Sequence, residues 1–263
     1  MKKFQMILIT VFFVDLYSLS TTEYIKSFFT PDEKENYSKE YPFEDNGILE
    51  ITLPKGNITI HSWKNKKLLI DAFKKGPKEN VNGTTIVSKI SPSMGQLAIK
   101  VNENKEAANV DLKIMVPENV KLKNISTDNG SIIIKNVSGP ISAQTKSGNI
   151  EIKNAYSKVN AKADSGKIVL KQKQFNKEDS IFLETLNGEV QLYLPKNTSA
   201  DIQAKTGRGV ITSQVSVTLS SLTTKLNKQY WNQIKKEIMG SIGEGGAPIT
   251  IDVARGNIGI FEY

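Results

Sequence analysis

From about residue 121 onward, apolar and polar positions alternate with a period of two in short runs, each broken by a glycine. Six stretches share one frame: a small or β-branched residue, two turn residues, glycine, any residue, then Ile or Val. They run Thr127–Ile132, Thr145–Ile150, Ala163–Ile168, Thr185–Val190, Thr206–Ile211 and Val253–Ile258. Weaker copies occur at Gly56–Ile60 and Gly95–Ile99. From Gly130 through Gly148, Gly166 and Gly188 to Gly209, the glycines step by 18, 18, 22 and 21 residues. Before each glycine the inward candidates are Ile141, Ala143 and Thr145, then Val159, Ala161 and Ala163, and their counterparts at Ile181, Ile202 and Ile249. After it they are Ile132 and Ile134, Ile150 and Ile152, Ile168 and Leu170, and Val190 and Leu192. Each repeat therefore supplies two half-buried strands and one tight turn.

A two-strand repeat could also be a string of antiparallel hairpins. The small residues Ala143, Ala161 and Ala204 fall at one slot of successive copies, which is what stacking equivalent positions coil upon coil produces. The pattern thus predicts an all-β chain folded as a β-solenoid of parallel coils, each of ~18–22 residues. The turn glycines are Gly56, Gly95, Gly130, Gly148, Gly166, Gly188, Gly209 and Gly256. About eight coils at ~4.8 Å each would make a rod roughly 40 Å long.

Outside the repeat the pattern divides the chain further. Residues 1–20 read as a signal peptide: Lys2 and Lys3, an apolar stretch from Phe4 to Val14, and a small-x-small site at Ser18–Ser20. That stretch is too short to span a bilayer, and no transmembrane segment is expected in the mature chain. Residues 21–45 are polar and read as a linker or arm. Residues 46–263 form the solenoid domain. Within it, 46–120 is strand-rich but less regular, 121–213 carries the regular repeats, 214–246 interrupts them, and 247–263 is the final coil. In the interruption, Leu219, Leu222, Leu226, Tyr230, Ile234 and Ile238 recur at helical spacing, predicting an amphipathic helix over 221–239, either a cap or insertion that covers the solenoid's end or a surface for a partner or membrane.

Composition then removes most chemistry. The 263 residues contain no cysteine and one histidine, His61. Disulfides, thiolate metal sites and a cysteine nucleophile are excluded, and neither a serine triad nor a multi-histidine site has the raw material. No cofactor and no metal site is expected. Polysaccharide-cleaving β-helices need clustered carboxylates, and the candidates here are Asp128, Asp164, Glu184 and Glu189. Asp128 and Asp164 share a slot two coils apart with Lys146 between them, which reads as a charge ladder rather than an acid–base pair. His61 and Trp63 alternate on one strand and could share a small binding face. The formal charge of +8 suits an anionic glycan, a lipid headgroup or another envelope component, or else keeps an exposed β surface soluble. The lysines lack interleaved aromatics, so nucleic acid is not an expected partner. Nothing legible in the sequence sets the oligomeric state.

Several of these features occur together in one known family. The leader, the strand Gly56–Trp63, the run Leu112–Pro117 leading into the Thr-x-x-Gly-x-Ile copies, and the stretch Gly240–Gly246 before Ile249 to Ile260 resemble the bacterial putative-adhesin domain. The likeness covers roughly residues 46–263. It implies a right-handed parallel β-helix-like domain on an exported protein, and it brings no catalytic or ligand residues to this chain; with the lack of chemistry above, the expectation is a non-enzymatic binding or scaffold protein, a self-assembling structural protein being the alternative.

Overall fold

A computed structural model describes residues 32–91, 95–102, 108–220 and 236–263. The strands are β1 (Glu33–Pro42), β2 (Ile48–Lys55), β3 (Ile58–Trp63) and β4 (Lys67–Gly76). After a short helix, α1 (Lys78–Gly83), come β5 (Thr85–Ser91), β6 (Gln96–Asn102) and β7 (Asn109–Pro117). The regular part follows in pairs: β8 (Lys121–Asn129) with β9 (Ile132–Lys135), and β10 (Ile141–Ser147) with β11 (Ile150–Ala155). The next pairs are β12 (Val159–Ser165) with β13 (Ile168–Gln172), β14 (Ile181–Asn187) with β15 (Val190–Leu194), and β16 (Ala200–Arg208) with β17 (Ile211–Ser213). Last come β18 (Thr218–Leu219), β19 (Lys236–Ile242), β20 (Ala247–Arg255) and β21 (Ile258–Glu262).

The described strands form two long, mostly parallel sheets. One runs β1-β4-β7-β3-β9-β11-β13-β15-β21-β17; the other runs β18-β19-β16-β20-β14-β12-β10-β8-β2-β6-β5. The chain passes from the second sheet to the first at every turn glycine but Gly95, so the inner faces of both sheets meet in a single slim core. All the inward candidates named above are buried there. They stack in register: Ile141 opposite Val159 opposite Ile181 opposite Ile249, and Ile132 opposite Ile150 opposite Ile168 opposite Val190. Burying each such aliphatic side chain stabilises by about 1.5–3 kcal/mol before chain entropy is counted. The parallel registers exclude the hairpin alternative.

Coil order in space departs from coil order in sequence at both ends. The expected final coil, β20–β21, lies between β14–β15 and β16–β17. Likewise β2–β3 lies between β6–β7 and β8–β9. The chain goes out to the end of the stack and returns to fill the place next to it. The repeat does not encode this order, because every coil offers its neighbours the same inward residues.

Three further expectations need correction. Glu33–Pro42, part of the stretch read as a linker, is strand β1, paired antiparallel with β4 along its length. Its inward Tyr41 is buried, and Lys74 of β4 is held by both oxygens of Glu35 at 3.1 Å. Alternation in this segment is hidden by its charges. The helix expected over 221–239 falls mostly on 221–235, outside the described residues. Its last residues, from Lys236, belong to strand β19, which pairs antiparallel with β16. The β-branched Ile238 and Ile242 suit a strand as well as a helix face. Gly95, finally, precedes β6, a strand of the sheet that leads into the other turn glycines, so it stands at a different corner of the coil.

Candidate functional site

Seven of the eight glycines meet in one column. The N–H groups of Gly56, Gly130, Gly148, Gly166, Gly188 and Gly256 each donate to a carbonyl of the adjacent coil, as from Gly130 to Ser147 at 2.8 Å and from Gly188 to Arg255 at 2.9 Å. A Cβ on Gly148 would lie 2.0 Å from the Gly130 carbonyl oxygen, and one on Gly256 would lie 1.7 Å from that of Gly188. Coil spacing therefore leaves no room for a side chain at this corner. In the outermost coil the slot holds Val110, whose carbonyl would in turn meet a Cβ on Gly56 at 2.1 Å. Gly95 stands apart, with φ +57 and only the Gly47 Cα, 3.8 Å away, facing its open side. Beside the column, the hydroxyls of Thr127, Thr145, Thr185 and Thr206 donate to the carbonyls of Gly56, Gly130, Gly166 and Gly256. These residues build the scaffold and leave no open chemistry.

The candidate carboxylates do not converge. Lys146 Nζ lies 2.9 Å from Asp128, Lys162 Nζ 2.9 Å from Glu184, and Lys167 Nζ 3.5 Å from Glu189. Each pair joins neighbouring coils. Asp164 is exposed on the same rim and has no ion-pair partner among the described residues. Among the described residues, no three Asp, Glu or His side chains are grouped to hold a metal ion.

On the eleven-stranded sheet, Lys123 pairs with Glu50, Lys162 with Glu184 and Lys205 with Asp252. An apolar groove of about 420 Å³ crosses this face beside Phe182 and Leu122. On the ten-stranded sheet, one outward row runs across six consecutive strands in register: His61, Lys135, Lys153, Lys171, Tyr193 and Phe261. Among the described residues, only Lys153 of this row has a carboxylate partner, Glu151 at 2.6 Å. The rings of Tyr193 and Phe261 stack with centroids 4.9 Å apart. Lys171 Nζ sits 5.0 Å from the Tyr193 ring centre and 5.4 Å from that of Tyr263, with Lys173 Nζ 5.6 Å from Tyr263. The Tyr263 hydroxyl donates to Asn154 Oδ1 at 3.1 Å, fixing that ring against the sheet.

His61 belongs to this row, and Trp63 stands two residues further along the same strand. The Trp63 indole donates to the Lys67 carbonyl at 2.8 Å, within its own turn. Partial burial, with the charge of Lys135, holds the His61 pKa below its usual value. The row was present in the sequence as Lys135, Lys153 and Lys171 at an 18-residue step. What hid the aromatic end is that Phe261 follows Tyr193 in space and not in the repeat.

The family model described as Toastrack DUF4097 matches residues 21–260. Among solved structures, a putative cell adhesion protein from Clostridium sporogenes is 14% identical, over 88% of this chain and 100% of that one, with a TM-score of 0.49. A putative adhesin from Bacteroides fragilis is 12% identical, over 88% of this chain and 98% of that one, with a TM-score of 0.41. No curated protein matches.

Proposed function

Since this chain belongs to the Toastrack DUF4097 family, in keeping with the adhesin-like resemblance of its sequence, we propose that it is an exported, non-enzymatic binding or scaffold module of the cell envelope. The observation that carries this reading is the placement of the carboxylates. Asp128, Glu184 and Glu189 each face a lysine of the next coil, so the groups a glycan-cleaving site would need are instead linking coil to coil. The hydrophobic leader at residues 4–14 supports export. Right-handed winding, with coils of ~18–22 residues, is supported by the strong preference of parallel strand–crossover–strand units for that hand.

End-to-end self-assembly is the weaker reading. Antiparallel strands flank the stack at both ends: β1, β4 and β5 at one, β18 and β19 at the other. Such strands cover three of the four sheet edges that would otherwise template another copy; the fourth is the three-residue strand β17, which ends the ten-stranded sheet. The non-enzymatic reading is tested by incubating the protein with a panel of acidic and neutral polysaccharides and following reducing ends and unsaturated products. No turnover above the blank is expected. Robust turnover, abolished by Asp128→Asn or Asp164→Asn, would replace the binding role with a catalytic one.

A further inference from the structure

We propose that the row His61, Lys135, Lys153, Lys171, Tyr193 and Phe261, with Tyr263 beside it, is a binding track for a linear acidic polysaccharide. The inference rests on the binding-module reading and names its site and ligand class. Four observations converge on it. The row is straight and regular, because register fixes one side chain per strand across six strands. Neighbouring strands lie about 4.8 Å apart, close to the length of one pyranose unit in an extended chain. Successive ammonium groups therefore present themselves at the repeat of a polymer that carries a carboxylate on its sugars.

The charge is also uncompensated where it is needed. Lys123, Lys162 and Lys205 of the opposite face are paired with Glu50, Glu184 and Asp252, whereas among the described residues Lys135, Lys171 and Lys173 have no carboxylate within ion-pair distance. Lys171 is held in place by the rings of Tyr193 and Tyr263, so less side-chain freedom is lost when it meets an anion. Finally, the row ends in rings. Tyr193, Phe261 and the exposed Tyr263 offer apolar surface with a polar tip, which suits the C–H face and hydroxyls of a sugar better than it suits a bare phosphate. A polymer laid along the stack would meet three lysines and then an aromatic end, which sets its direction.

The test is calorimetric titration of the protein with polygalacturonate, a linear uronate, at physiological salt. Its fully methyl-esterified form and anionic phosphatidylglycerol vesicles serve as comparison arms. Polygalacturonate should bind, and the ester at least tenfold more weakly. Lys135→Gln with Lys171→Gln should weaken binding about tenfold or more, and Tyr193→Ala should weaken it where Tyr193→Phe does not. Lys123→Gln with Lys146→Gln, remote from the row, should leave it within twofold. Equal losses from the two lysine pairs would overturn the track, as would equal binding of acid and ester, or binding to vesicles alone. If no uronate polymer binds while another ligand does, the track fails and the binding-module reading stands.

Discussion

At the scale of single residues, the turn corner is the most constrained place in the molecule. Gly148 combines φ +146 with a neighbouring carbonyl 2.0 Å from where a Cβ would be, so either fault alone would strain an alanine there. Gly148→Ala should cost roughly 3 kcal/mol in denaturant unfolding, shifting the midpoint without changing the slope. Gly95→Ala faces open space and carries only the left-handed backbone penalty, about 1 kcal/mol. Similar losses at the two sites would show that coil spacing is not what requires glycine. Thr145 tests the adjacent ladder: Thr145→Val removes the 2.9 Å hydrogen bond to the Gly130 carbonyl and should cost about 1 kcal/mol. His61 gives a pH dependence. Its folded pKa lies below the unfolded value of 6.5, so the unfolded chain takes up the proton first. The stability linked to His61 is complete above pH 6.5 and is lost as pH falls through the folded pKa. Unfolding of His61→Gln, followed from pH 8 to pH 5, should show a shallower decline than the parent. This scale was the most legible from sequence, since glycine and inward-residue identities are local. Gly95 misled because Gly-x-Leu-x-Ile also describes an ordinary strand start.

Between residues and the whole lies the strand element, where end strands cover edges that would otherwise pair with another copy. β19 covers β16 with an antiparallel register from Ala200–Ile242 to Thr206–Lys236. Ile238→Pro removes a donor from that ladder and splays β19 away from β16. Exposed parallel edges pair with copies of themselves, so sedimentation should show concentration-dependent assembly of the variant and none of the parent. Monodisperse variant at all concentrations would mean that β19 does not guard the end. Sequence reading placed a cap in this region but gave it the wrong local structure near 236–239. A short run such as Glu237, Ile238, Met239 satisfies either period, and only the presence of a free β16 edge selects the strand. β1 was missed for a related reason: its partner β4 supplies most of the apolar surface, leaving Glu33–Pro42 free to be charged.

Across the whole molecule, the distinguishing property is that both ends of the chain double back into the stack. Successive repeats predict β14 beside β16, yet β20 lies between them. The absence of native cysteine makes this easy to test. Glu184→Cys with Asp252→Cys joins register partners about 4.8 Å apart and should crosslink on mild oxidation. Glu184→Cys with Lys205→Cys spans roughly twice that distance and should remain reduced. The reverse result would restore the order read from sequence. Coil order also creates the ligand face, because it brings Phe261 beside Tyr193 and extends the lysine row into an aromatic end.

The central proposal is that this family member binds through a lysine row, little neutralised by carboxylates, on a rigid stack that does no chemistry of its own. Its most direct test is a screen of the protein against a glycan array and anionic lipid surfaces, run at low and at physiological salt. The account predicts selective glycan binding that survives physiological salt, since lysines backed by rings and a fixed register do more than attract counter-ions. Binding that vanishes with salt, or no binding to any surface, would contradict it and leave the lysines as solubilising groups on an exposed sheet.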